Sequence, residues 1–191
     1  MLRIVGGKWR SRRLRFVDAE GLRPTPDRVR ETLFNWLQFE INGAHCLDAF
    51  AGSGALGFEA LSRGAASVVM LEKQKPQFQA LQTAAQELQA ENLTLLNGDA
   101  LALLRASAAW QPAGGFDGIF LDPPFHKSLL PEICAVLLER GLLKPDAFVY
   151  VESESDWTTL ALPAAFTVQK QTRAGLVQAY LARYQPEGVS P

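Results

Sequence analysis

The sequence predicts an α/β fold: a mostly parallel sheet with helices on both faces, preceded by a small hairpin and helix. Three observations carry that prediction. A short apolar run, His45 to Asp48, enters a glycine-rich turn that opens a helix. Strand-like runs then alternate with helix-like runs as far as about residue 151. Acidic residues stand at or just inside the ends of four successive strand-like runs, namely Asp48, Glu72, Asp99 and Asp122. Alternation of this kind builds parallel sheets, because each crossover needs a covering helix. Ligands in such folds gather outside the carboxyl ends of the strands. Four acids on one rim therefore mark the candidate site.

The elements follow in chain order. Leu2 to Val5, Gly6-Gly7 and Lys8 to Phe16 read as a hairpin, two extended runs around a glycine pair able to take positive φ. Trp9 is interleaved there with Lys8, Arg10, Arg12 and Arg13. A ring among guanidinium groups suits stacking on unpaired bases and holding phosphates; the other reading is that Trp9 packs the hairpin onto the body. Asp18 to Arg23 reads as a loop, and Thr25-Pro26-Asp27 as a helix start with Thr25 as N-cap and Pro26 at the first helical position. Val29, Leu33, Trp36, Leu37 and Ile41 recur at helical spacing, and Asn42-Gly43 ends the helix.

After the glycine turn, Leu56 to Arg63 continues a helix that Gly64 stops. Ser67 to Leu71 is a second strand delivering Glu72, and Pro76 to Ala90 is helical. Leu93 to Leu96 is a third strand ahead of Asn97-Gly98-Asp99, followed by a helix over Ala100 to Ala109. Phe116 to Leu121 is a fourth strand, Leu129 to Arg140 a helix closed by Gly141, and Phe148 to Val151 a fifth strand ending at Glu152. Phe166 to Thr172 and Leu176 to Tyr184 form an antiparallel hairpin across Gly175. The expected organisation is a basic extension over residues 1–43, a catalytic domain over 44–185 and a disordered tail over 186–191.

A chain of 191 residues, 48% of them hydrophobic, is large enough for one domain with a substantial core. It has no apolar run of membrane-spanning length and no export signal, which points to the cytoplasm. Cys46 and Cys134 lack metal spacing and read as small core residues, so no metal is expected. The near-neutral total charge hides an asymmetry. Residues 1–31 hold nine basic and four acidic side chains, whereas residues 32–191 hold ten and sixteen. A basic arm of this kind faces a polyanion. The alternative is a solvated charged hairpin.

Gly52, Gly54 and Gly57 have the G-x-G-x-x-G spacing of a turn that packs its helix closely and lets backbone approach a ligand. Glu72 lies 20 positions after Gly52, where a carboxylate can accept both hydroxyls of a ribose. A nicotinamide dinucleotide and S-adenosylmethionine both contain that ribose. Asp48 separates them, since it would repel a pyrophosphate but can meet a cationic amino group. Asp99 can accept from an adenine amine. The acidic cradle therefore suits a sulfonium cofactor, and the cofactor-binding candidates are Asp48, Phe50, Gly52, Ser53, Gly54, Gly57, Glu72, Lys73, Asp99 and Ala100.

Asp122-Pro123-Pro124-Phe125 supplies the catalytic candidates. An exocyclic amine is a poor nucleophile because its lone pair is delocalised into the base. A fixed carboxylate and a proline-held carbonyl can accept its two hydrogens and aim the lone pair at a methyl group. Phe125 can stack on an extruded base.

These segments resemble the bacterial RsmD family of 16S ribosomal RNA guanine-N2 methyltransferases. The resemblance runs through Arg3 to Arg10, Leu22 to Leu37, Leu47 to Ala66 and Asp122 to Phe125. The last two segments mark amino-methylating enzymes generally, and the first two point to this family. The resemblance implies a seven-stranded class I S-adenosylmethionine-dependent methyltransferase fold with a final antiparallel strand, and a guanine of 16S rRNA as acceptor, in an assembled or assembling small subunit. It places Arg23-Pro24-Thr25 near the active site. Ala49 stands where the family pattern has leucine. The RNA-binding candidates are Lys8, Trp9, Arg10, Arg12, Arg13, Arg23 and Arg28, and the enzyme is expected to be a monomer. Rival readings are an adenine-N6 methyltransferase, a non-catalytic ribosome assembly factor and, more remotely, a nicotinamide enzyme.

Overall fold

The computed structural model describes residues 2–17, 25–106, 109–124 and 129–186. Strands β1 (Leu2–Arg3) and β2 (Arg13–Leu14) pair antiparallel ahead of helix α1 (Asp27–Trp36). The parallel series is β3 (His45–Asp48), β4 (Ser67–Glu72), β5 (Leu93–Asn97), β6 (Phe116–Leu121) and β7 (Leu143–Ser153). Helices α2 (Ala55–Ser62), α3 (Lys75–Leu88), α4 (Ala100–Arg105) and α5 (Leu130–Glu139) make the crossovers. β8 (Phe166–Ala174) and β9 (Val177–Tyr184) complete a seven-stranded sheet of order β5-β4-β3-β6-β7-β9-β8. β9 runs antiparallel to both neighbours, as the class expectation requires.

Strand register fixes which residues share a face. Asp48 pairs with Phe120, and Phe120 with Tyr150, so all three point to the same side. Asp122 and Glu152, each two residues further along its strand, fall on that side too. Phe34 of α1 and Phe58 of α2 cover this face, packed with Phe120, Phe148 and Tyr150. Leu2, Ile4, Trp9 and Leu14 join the same core. The opposite face, with Leu47, Leu71, Ile119 and Val151, is covered by Leu104 of α4 and by Ile133, Cys134 and Leu137 of α5. The glycine turn and the acids thus sit where the first face meets the strand ends.

Several local expectations are corrected. Strand pairing in the N-terminal hairpin is limited to Leu2 with Leu14 and Arg3 with Arg13, and a 3-10 turn over Gly7–Trp9 replaces the tight glycine-pair turn. The Val5 and Gly6 amides donate instead to the Glu59 carboxylate, at 2.8 and 2.7 Å. Gly7 lies at φ +75° with its Cα against the Ser62 carbonyl, where a Cβ would come within 1.9 Å of the oxygen. Thr25 does not cap α1. Pro26 occupies the N-cap position without a side-chain bond, because the Thr25 hydroxyl is engaged elsewhere. The helix also ends at Trp36, before Ile41.

β7 begins at Leu143 rather than Phe148. Its polar Lys144-Pro145-Asp146 stretch hides the start, and pairing with β6 shifts register between Phe116 and Gly118. A 3-10 turn over Trp157–Leu160 was not expected, and α4 stops at Arg105. Residues 18–24 and 187–191, including Arg23 and nearly all of the expected tail, lie outside the described residues. So does Phe125.

Candidate active site

The glycine turn is latched on both of its backbone polar groups. The Gly52 amide donates to Glu72 Oε2 at 2.9 Å, and its carbonyl accepts from Gln77 Nε2 at 2.7 Å. Glu72 Oε1 takes the Gln74 amide at 2.6 Å. A carboxylate has about four acceptor positions, so with three backbone amides on it Glu72 keeps room for one more donor. Burial raises its pKa above the usual carboxylate range, against the three backbone amides that hold it down. Gly54 requires its φ of +77°, and Gly57 leaves room for the Met70 terminus, which a Cβ would approach to 2.3 Å. Ser53 and Ala100 are buried, Phe50 is half-buried, and Asp99 is exposed with Lys73 Nζ at 3.0 Å. Lys73, through its hydrogen bond, holds the Asp99 carboxyl below its ordinary pKa. Asp99 also caps α4 by accepting the Ala102 amide.

The second half of the site is a set of three facing carboxyl groups. Asp48 is buried and accepts the Gly57 amide at 3.1 Å. Burial lifts its pKa to about 7, with the charges of Glu72 and Glu152 adding to the rise. Asp122, at the end of β6, is pushed well up by desolvation and by the neighbouring Glu152 and Asp48 charges. Glu152 is buried at the end of β7, and its Oε1 accepts from Thr25 Oγ1 at 2.5 Å and from the Tyr150 hydroxyl at 2.9 Å. Its pKa too is raised, by desolvation. Pro123 is buried and Pro124 exposed, so the segment after Asp122 starts from a fixed anchor and reaches the surface.

Of the predicted residues, the structure gathers Asp48, Gly52, Ser53, Gly54, Gly57, Glu72 and Asp122 around the ends of β3, β4 and β6. Sequence reasoning missed Gln77, Tyr150 and Glu152. Glu152 carried the same signal as the other acids, a carboxylate ending a strand. Gln77, inside a helix of ordinary composition, carried none.

In the basic arm, Trp9 is 8% exposed, its ring in the core and its amide donating to Ser62 Oγ at 2.9 Å. It packs the arm onto α2, in keeping with the second of the two readings the sequence left open for this ring. Lys8, Arg10, Arg12, Arg13 and Arg28 are exposed. Lys8 Nζ lies over the Trp9 ring at 4.4 Å, and Arg12 donates to the Glu87 carbonyl at 2.8 Å. An open cavity of about 420 Å³ beside the arm is lined by Leu2, Arg3, Arg13 and Asp27.

The sheet order, the glycine turn after β3 and the acid-ended strands beside it define a class I methyltransferase. Within that class, the chain belongs to the family described as conserved hypothetical protein 95, whose model matches residues 2–183. It is 45% identical over 178 residues to "Ribosomal RNA small subunit methyltransferase D" of Haemophilus influenzae, covering 92% of this chain and 90% of the relative. The protein of the same name in Escherichia coli strain K12 is 42% identical, covering 99% and 93%. Among solved structures, the Escherichia coli protein yhhF superposes with a TM-score of 0.84 at 41% identity, covering 97% of this chain and 99% of that one. The resemblance read from the N-terminal motifs and the rim is to this same group.

Proposed function

We propose that this chain methylates the exocyclic N2 amine of a guanine in small-subunit (16S) ribosomal RNA, with S-adenosylmethionine as the methyl donor. The observation that carries the reading is Asp122 with Pro123-Pro124 at the end of β6, beside the acids of β3 and β7. The names of the relatives over nearly the whole chain supply the substrate class.

The residues fit that cofactor. Glu72 retains an acceptor position for a ribose hydroxyl, Asp99 is exposed for an adenine amine, and Asp48 stands beside the glycine turn for a cationic amino group. A ring of carboxyl groups would repel a dinucleotide phosphate and favours a cation. S-adenosylmethionine, when bound, supplies a methyl group made electrophilic by its sulfonium.

Methylation of an amine releases one proton, so the site needs a base near neutral pH. Asp122 is suited to that task because desolvation and its carboxyl neighbours raise its basicity. Asp122 accepts one amine hydrogen and takes the proton, and the Pro124 carbonyl accepts the other hydrogen. Phe125 stacks on the base. Lys8, Arg10, Arg12, Arg13, Arg23 and Arg28 hold RNA phosphates, and the substrate is the rRNA of an assembled or assembling subunit. The reading includes a monomer acting in the cytoplasm without a metal.

The test is transfer of labelled methyl groups from S-adenosylmethionine to unmodified small subunits, naked 16S rRNA and duplex DNA, followed by nucleoside analysis. Label in N2-methylguanosine is the expected result, and Asp122→Ala abolishes it while leaving cofactor affinity within a few fold. Label in methyladenine, or full turnover by Asp122→Ala, overturns the assignment.

A further inference from the structure

Glu152 is not one of the motif residues, yet its carboxyl is held by two side-chain hydroxyls. Leu121 pairs with Val151, so Glu152 is the lateral neighbour of Asp122 in adjacent parallel strands, pointing to the same face. Its Oε1 receives two hydroxyl donors from separate elements, Tyr150 from its own strand and Thr25 from the segment leading into α1. Thr25 is itself fixed, since Arg30 Nε of α1 donates to its carbonyl at 3.1 Å. The titratable groups whose charges act on the pair are Asp48 from β3 and Tyr150 from β7, while the Arg30 guanidinium reaches the Thr25 carbonyl.

We infer that Glu152 is a positioning residue of the reaction, resting on the function proposed above: anchored by Thr25 and Tyr150, it holds a second carboxyl beside Asp122 and sets the proton affinity of the base. Two carboxyl groups held side by side in a buried site ionise together only at a cost, so each keeps the other's proton bound more tightly. Asp122 is thereby a stronger base than an isolated aspartate. During the reaction the N–H bond of the acceptor amine breaks as the N–C bond forms, and its proton passes to the Asp122 carboxylate. Glu152 does not touch the acceptor in this scheme. Its charge and its fixed location act through Asp122.

Glu152→Gln separates this role from a purely structural one. The glutamine carbonyl can still accept from Thr25 and Tyr150, but the charge beside Asp122 is gone. The acidic limb of kcat/KM against pH then moves to lower pH, and kcat at neutral pH falls by roughly tenfold. Thr25→Val, which removes one donor and makes Glu152 hold its own proton more tightly, moves the limb in the same direction. An independent reading is a pH titration of 13C-labelled aspartate carboxyls by NMR, the Asp122 signal being assigned by its loss in Asp122→Asn. In Glu152→Gln that signal titrates at lower pH than in the parent protein. If both variants are folded and Asp122 titrates as in the parent, the inference is wrong. That titration needs no turnover, so failure of the parent protein to methylate guanine would overturn the proposed function and leave this measurement intact.

Discussion

At Asp48 the buried carboxyl depends on backbone amides, with Gly57 at 3.1 Å, and burial raises its pKa to about 7. The unfolded chain releases this proton near pH 3.9. Between those values the folded state keeps a proton that the unfolded state has lost, so this group's effect on stability worsens as pH rises from about 4 to about 7. The difference is on the order of 4 kcal/mol, fully present above pH 7. Asp48→Asn therefore flattens the fall in stability between pH 4 and 8 and gains most at pH 8, as urea unfolding at several pH values will read. The same change weakens binding of a cationic cofactor. Asp48, Glu72 and Asp122 were legible in the sequence because strand ends are where α/β folds place ligands. Gln77 was not, since its hydrogen bond to Gly52 depends on how α3 lies across the turn, a tertiary fact that helical spacing does not encode.

The arm formed by β1, the 3-10 turn and β2 shows how an element acquires two roles. Trp9 faces inward and binds the arm to α2, while Lys8, Arg10, Arg12 and Arg13 remain exposed. Arg12 uses one of its five donors on the Glu87 carbonyl, which orients the guanidinium and leaves the others for a phosphate. Replacing Arg12 and Arg13 together by alanine should weaken RNA binding and lower the slope of log K against log salt by roughly one to two, at about 0.7 for each phosphate contact on single strands. Binding isotherms across a salt series give that slope, and an unchanged value removes these side chains from the phosphate contacts. Most element types were readable from periodicity, from the β3 run to the β8–β9 hairpin. Their ends were less so: Thr25 has the composition of a helix cap, but a buried carboxylate is the stronger acceptor and draws its hydroxyl away.

On the scale of the whole molecule, Glu59 of α2 ties the N-terminal residues to α2 and α1. Its fully buried carboxylate receives the Val5 and Gly6 amides, Arg30 Nη1 at 3.3 Å and Arg63 Nε at 2.8 Å. Glu59→Ala leaves the buried Arg30 without this partner and the two amides without theirs, a loss of about 3 to 5 kcal/mol. Hydrogen exchange at Val5 and Gly6 should accelerate well beyond that in the β3–β6 strands; equal acceleration everywhere would mean that Glu59 serves global stability alone. The Thr25–Glu152 hydrogen bond closes a still longer loop, joining residues 127 positions apart. A ribosome delivers the chain from its N-terminus. Thr25 therefore leaves the exit tunnel long before its acceptor has been translated, and β9, which lies between β7 and β8 in the sheet, is made after both of them. The glycine turn can form before β6 and β7 have been translated, but the cluster of Asp48, Asp122 and Glu152 exists only once Glu152 has been made, so a product truncated before that residue has the turn and no assembled cluster.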